Sequence, residues 1–238
     1  MISSCLKRGV NNFIGNNVRI HENVVIGNNN KIFDGTTLYP NTIIGDNNVI
    51  LNGNTIGEYP INANEALEHF IKTYEKGVII GNNNFIHVNN LIFGGTDNPT
   101  KIGNNNKLLG EIHVGHDVEI FQNAYIYPRV LLSGYVKVLP CAGIGVSTSI
   151  HQKKTIGHYS FIGMNSTITK NIFPFYKFIN QRYKGLNEIR IPEYIVNDKE
   201  KIDEIISSFY SKKKIHNLEQ YNLNDNTKTI IEKFLLHV

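Results

Sequence analysis

One residue in every six along most of this chain is aliphatic, and that period limits the possible folds more than any other feature of the sequence. Ile14, Ile20, Ile26, Ile32, Leu38, Ile44, Ile50 and Ile56 form a first run. Ile80, Ile86 and Ile92 form a second. After a shift of four residues a third run goes through Ile102, Leu108, Val114, Ile120, Ile126, Leu132, Val138, Ile144, Ile150, Ile156, Ile162 and Ile168. A helix repeats its buried positions every 3.6 residues and a strand every 2, so neither generates this lattice. A solenoid does, with each hexad contributing one short strand and one corner. Gly often follows the aliphatic residue, as at Gly15, Gly27, Gly45, Gly81, Gly103, Gly115 and Gly163, and Asn crowds the positions after it. Both residue types tolerate positive φ, so both are expected to supply the corners. Two residues before the aliphatic position stand Thr36, Thr42, Val118, Ala124, Val136, Ala142 and Thr148 or an Asn. These are expected to point inward in files where like stacks on like.

The expected fold class is therefore mainly β, a parallel β-helix over residues 1–190 followed by a C-terminal helical region over 191–238. Two loops leave the lattice, at about 57–78 and 93–99. Loops thrown out of a regular scaffold are where binding residues tend to collect. Beyond Ile168 the period changes. Ile202, Ile205, Ile206 and Phe209 share one helical face, with Asn197 or Asp198 as the cap, and Ile230, Ile231, Phe234 and Leu235 suggest a second helix. The run Lys212, Lys213 and Lys214 reads as a solvated helix end.

Composition excludes several classes. No stretch of 18 apolar residues exists and the first residues lack a signal-peptide core, so a cytoplasmic protein without membrane insertion is expected. Cys5 and Cys141 are too few and too far apart for a disulfide framework, and no zinc-type spacing occurs, so no metal is expected. The net charge of +4 suits an acidic partner, but no motif points to nucleic acid.

Chemistry concentrates in LLGEIHVGHDVEI, residues 108–120. His113 and His116 flank a corner and Asp117 follows directly. Two imidazoles beside an acid, on a coil with little other titratable content, mark a site. A neutral imidazole near pH 7 removes a proton from a sugar hydroxyl attacking a thioester, and a neighbouring carboxylate fixes its tautomer. If three hexads make one coil, residues 18 apart stack, and His116, Gly134 and Gln152 fall on one file beside His151. A Gly there lets a backbone N–H face a developing oxyanion. Gly134 reads equally as an ordinary corner glycine.

HVGHDVEI, the SGY step, SIHQKKTIG, the GGT…TKIG link and IFPFYKFIN together resemble the UDP-N-acetylglucosamine acyltransferases that begin lipid A synthesis, over roughly residues 10–190. The resemblance implies a left-handed β-helix, a homotrimer, and transfer of an acyl group from acyl carrier protein to the 3-position of a UDP-sugar. No permanently bound cofactor is implied; an acyl-ACP or acyl-CoA thioester is the co-substrate. His116 then matches the general base, Asp117 its orienting acid and Gly134 the oxyanion donor. His113, His151 and Gln152 match positions lining the cleft, and Asn187 resembles a nucleotide contact. The chain departs from the family at Tyr135 and Phe93, where a His is usual, and its first loop lacks an Asp-x-Lys clamp, leaving Glu58, Lys72 or Lys76 to substitute. A paired basic motif is reduced to Arg190. Met164 stands where long-chain members carry Gly, which implies a shorter acyl channel.

Two other readings compete. One is acetyl-CoA-dependent N-acetylation of a nucleotide-linked amino sugar, with Lys137, Lys153 and Lys154 holding the CoA phosphates. The other is a scaffold without catalysis.

Overall fold

The computed structural model describes residues 7–60, 76–211 and 218–238. Lys72 and the Lys212–Lys214 run lie outside the described residues. The chain winds into three parallel sheets, one per side of a triangular prism. The first has eight strands, from Lys7–Arg8 through Val25–Ile26 to Thr155–Ile156; the second has ten, beginning at Phe13–Ile14; the third has eight, from Arg19–Ile20 to Thr167–Ile168. Most strands are two residues long, because only the outward residue and the inward aliphatic one lie on a flat side before the chain turns. The aliphatic lattice forms one continuous core from Ile20 to Ile168, nearly every member at 0–1% exposure. The architecture is the left-handed parallel β-helix.

The 18-residue ruler holds in register. Val25 pairs with Ile43, His113 with Leu131 and Leu131 with Ser149. Across the first break the stacked partners are 36 residues apart and across the second 22. The breaks thus add 18 and 4 residues at corners while the lattice residues stay in register, with one bulge where Phe93 meets Glu58.

The corners correct one expectation. Away from the two breaks and the last hexad, positive φ falls three residues after each aliphatic position, on Asn17, Asn29, Asn47, Asn83 and Asn105, but also on Asp117, Arg129, Tyr135, Lys153 and Tyr159. Of the glycines that directly follow the aliphatic residue, Gly57 at the first break is left-handed at φ 88° and the others are not. Their requirement is the approach of the next rung: a Cβ on Gly27 would lie 2.6 Å from the Gly45 carbonyl oxygen.

The inward files are as expected. Asn30, Asn48, Asn84 and Asn106 form a buried ladder, in which the Asn48 side-chain oxygen accepts from the Asn84 N–H at 2.9 Å and the Asn48 amide donates to the Gly81 carbonyl at 2.8 Å. The ladder ends where Ala124 replaces Asn, and the Asn106 amide nitrogen has no partner.

Past Ile168 an antiparallel hairpin, Tyr176–Ile179 with Arg182–Leu186, closes the open edge of the second sheet. Asn180 and Gln181 turn it with positive φ. Three helices follow: α1 (Glu193–Asn197), α2 (Lys199–Tyr210) and α3 (Asp225–Leu235). Ile202, Ile205 and Ile206 of α2 and Ile231 and Phe234 of α3 pack with Phe173 and Phe175 over the last coils. Asp198 does sit at the start of α2, but its carboxylate does not cap the helix. It accepts from Lys201 Nζ at 3.0 Å and from the Asn224 N–H at 2.7 Å, tying α2 to the start of α3.

Candidate active site

The His116 corner lies between the third and first sheets, in a groove of about 420 Å³ lined by Phe93, His113, His116, Leu131 and Gly134. Each position follows from the hexad. Val114 and Leu132 anchor the coil inward, and the corner two residues later throws the side chain outward. Asp117 takes the left-handed corner position at φ 57°, which turns its carboxylate back under the His116 ring.

His116 Nδ1 is 2.9 Å from Asp117 Oδ2, and the Asp117 side chain is only 2% exposed. Burial alone pushes the Asp117 carboxyl up. The Thr96 hydroxyl and N–H, the Asn98 N–H and the His116 ring all hydrogen-bond to it and outweigh burial, so it is held below the usual carboxylate range. An ionised carboxylate only accepts, so Nδ1 carries the proton and Nε2 is the basic nitrogen. Nε2 hangs over Gly134, where an added Cβ would lie 2.5 Å from it. Gly134 is thus required by the imidazole beside it. The corner-glycine reading does not hold, because the left-handed position of that rung is Tyr135 at φ 61°.

Elsewhere the N–H at this corner position is taken from one coil further on. Asn16 N–H donates to Asp34, Asn28 N–H to Asp46 and Asp46 N–H to Asn82. One coil above Gly134 stands Gln152. Among the described residues no protein acceptor takes the Gly134 N–H, which leaves it available to the groove.

His113 packs its ring 5.1 Å from that of Phe93, and burial lowers its pKa, keeping it neutral. Tyr135 sets its ring edge-on to His116 at 5.1 Å, donates its hydroxyl to Asp97 Oδ2 at 2.5 Å, and lies under Lys153 Nζ at 5.5 Å. His151 and Gln152 are exposed on the next rung, with His151 Nδ1 3.3 Å from the Gln152 carbonyl. The remaining expected residues do not line this groove within one chain. Met164, 62% exposed, stands on the corner between the second and third sheets. Asn187 is buried and spends its amide on the Tyr159 carbonyl at 2.8 Å, while Arg190 lies over the Tyr125 ring at 5.5 Å. Of the loop residues, Glu58 accepts from the Tyr59 N–H at 2.9 Å, and its hydrogen bond with Tyr39 raises that phenol to about 12. Lys76 meets the second loop through its backbone. Sequence reasoning missed Thr96 and Asp97, whose contacts with Asp117 come from a loop that is off the 18-residue lattice.

The bacterial transferase hexapeptide family of six repeats matches residues 23–58. An acyl-(acyl-carrier-protein)-UDP-N-acetylglucosamine O-acyltransferase from Nautilia profundicola is 41% identical over 115 residues, covering 46% of this chain and 44% of that protein. The chain therefore matches less than half the length of this curated relative. The UDP-N-acetylglucosamine acyltransferase of Francisella novicida superimposes with a TM-score of 0.77 at 25% identity, covering 100% of this chain and 88% of that one. LpxA from Acinetobacter baumannii gives a TM-score of 0.77 at 26% identity over 85% and 80% of the two chains. The fold is that of the left-handed β-helix proteins built from hexapeptide repeats. Within that class, the proteins this chain resembles are the UDP-N-acetylglucosamine acyltransferases.

Proposed function

We propose that this chain is an acyltransferase moving an acyl group from an acyl-carrier-protein thioester, or its coenzyme A counterpart, to the 3-hydroxyl of a UDP-N-acetylglucosamine-type sugar. The observation that carries the reading is the His116 Nε2 poised over Gly134, with Nδ1 tied to Asp117 at 2.9 Å. Nε2 takes the proton of the sugar hydroxyl as its oxygen attacks the thioester carbonyl. The Gly134 N–H donates to the oxyanion that forms, a contact worth roughly 3–4 kcal/mol in acyl transfer. Collapse expels the thiolate, which takes the proton back from the imidazolium, leaving ester, thiol and neutral His116. No part of this route needs a resident cofactor.

Tyr135, His113, His151 and Gln152 line the sugar and acyl paths along this edge. Met164 and Arg190 lie on other sides of the prism, so they reach the same cleft from a neighbouring subunit of a homotrimer, whereas the buried Asn187 acts by holding the Tyr159 carbonyl. No helix among the described residues is long and apolar enough to cross a membrane. Nucleotide sugars and acyl carriers are soluble reactants, which favours a cytoplasmic enzyme. Hydroxyl acylation is preferred over N-acetylation because a hydroxyl needs the oriented base that His116 and Asp117 form. Incubating wild type and His116→Ala with acyl carrier thioester and either UDP-N-acetylglucosamine or its 3-amino analogue, read by mass spectrometry, tests both points. Ester formation falling about 10²–10⁴-fold in the variant supports the reading. Product from the amine alone, or full activity in the variant, refutes it.

A further inference from the structure

The second loop is only four residues longer than the coil requires, yet it is built at steric cost. Gly94 N–H donates to the Glu58 carbonyl at 2.9 Å and Gly95 N–H to the Lys76 carbonyl at 2.6 Å. The chain then doubles back so tightly that a Cβ on Gly95 would lie 1.5 Å from the Asn98 carbonyl oxygen. The product of this folding is a cradle for one carboxylate. Asp117 Oδ1 accepts the N–H groups of Asp97 at 3.0 Å and Asn98 at 2.6 Å. Oδ2 accepts the Thr96 N–H at 2.8 Å and the Thr96 hydroxyl at 2.7 Å, beside His116 Nδ1 at 2.9 Å. The hydroxyl reaches further: Thr96 Oγ1 is 3.4 Å from His116 Nδ1 and 3.2 Å from the Tyr135 hydroxyl. It therefore lies against the imidazole and against both side chains that flank it, Asp117 as the acceptor of its proton and Tyr135 as the edge-on neighbour.

We propose that Thr96 is a positioning residue for acyl transfer, its hydroxyl locking Asp117 so that His116 is held with Nδ1 protonated and Nε2 facing the sugar hydroxyl. The proposal rests on the acyltransfer reading above, but its structural half stands apart from it. Without the hydroxyl, Oδ2 keeps two donors instead of three. The backbone N–H groups still hold the carboxylate, but with one N–H left on Oδ2 beside the imidazole its contact with Nδ1 loosens. A hydrogen bond to a charged group corresponds to about 10- to 100-fold in rate.

Thr96→Val keeps shape and backbone N–H but deletes the hydroxyl, and Thr96→Ser keeps the hydroxyl. The expected result is a kcat about 10- to 100-fold lower for Thr96→Val, KM within about twofold, and near-complete rescue by Thr96→Ser. In parallel, long-range ¹H–¹⁵N spectra of histidine-labelled protein, with the His116 signals assigned through His116→Gln, read the tautomer without any substrate. Wild type should show Nδ1–H only, and Thr96→Val a mixture. An unchanged tautomer and kcat in Thr96→Val overturns the proposal, as does a Thr96→Ser variant as impaired as Thr96→Val. Wild type inactive toward UDP-sugars would instead defeat the functional reading, while the tautomer comparison would still decide the role of Thr96.

Discussion

Gly134→Ala separates chemistry from folding at a single methyl group. The new Cβ would lie 2.5 Å from His116 Nε2, 2.7 Å from Cε1 and 3.1 Å from Cδ2, against about 3.4 Å for an ordinary contact. The ring must therefore retreat by about 1 Å. It cannot do so while keeping the 2.9 Å bond from Nδ1 to Asp117, because that carboxylate is held by the Thr96–Asn98 backbone. The His116 side chain is 31% exposed on its groove side, so it swings outward and the bond breaks. A misplacement of that size costs about 10²-fold in rate, and loss of the oriented tautomer adds to it, so kcat should fall about 10²- to 10³-fold. The backbone N–H that faces the oxyanion is unchanged. Stability should barely move, within about 1 kcal/mol, since Gly134 is outside the left-handed region and alanine removes freedom from the unfolded chain. Gly157→Ala is the control with the opposite signature. Its Cβ would lie 2.4 Å from the Pro174 backbone nitrogen, so the coil itself must open and the melting temperature should drop. Steady-state kinetics with an acyl carrier thioester and thermal melts of both variants decide the matter. A Gly134→Ala enzyme with kcat within about threefold of wild type, or one as unstable as Gly157→Ala, would refute the reasoning.

Three further outcomes are expected. Burial, with His237 and Lys233 nearby, lowers His158 to about 4, so between about pH 6.5 and 4 the unfolded chain binds a proton that the folded protein does not. Stability should therefore fall through that window as pH drops, by about 3 kcal/mol, and urea melts of His158→Leu should show a shallower fall; an identical slope would exclude His158 as the source. Asn48→Ala removes an acceptor for the Asn84 N–H and a donor to the Gly81 carbonyl inside the core, and should cost about 2–4 kcal/mol in chemical unfolding, whereas a loss below about 0.5 kcal/mol would show that the ladder is dispensable. Met164→Gly should shift acyl-donor preference to longer chains, and an unchanged preference across donors of graded length would show that residue 164 does not bound the channel.

The periodic parts of this molecule were legible in its sequence because the solenoid has a local rule. An aliphatic residue every six positions gave the three sheets, the core column and even the four-residue shift. The stacking of His116 on Gly134 followed by counting 18. What stayed hidden obeys no count. Thr96 and Asp97 act on Asp117 across 21 and 20 residues from an off-lattice loop, so no spacing announced them. The reason for the glycines was misread for a related cause. A glycine demanded by the neighbouring rung and one demanded by φ look alike in sequence, and although Asn17 turns its corner as expected, nothing in the residue type of Arg129 or Tyr135 marks it as the one that carries the turn. Asp198 was found at the helix start as expected, yet its carboxylate serves a contact with Asn224 that only the folded cap creates. The hairpin at Tyr176–Leu186 escaped because its Asn180–Gln181 turn lacks glycine, the usual mark of two positive φ angles in succession.

The two breaks lengthen the spacing between stacked partners to 36 and 22 residues, yet Ile44, Ile80 and Ile102 still pair as neighbours. A corner can thus be lengthened without any strand learning of it. In an ordinary sheet, extra residues risk a slip that turns every side chain over; here they only close one more excursion, whose entropic cost grows slowly with length. The prism and its edge are therefore separable inheritances. The loops that shape the groove can change in length and sequence while the coil that aims His116 at Gly134 keeps its geometry.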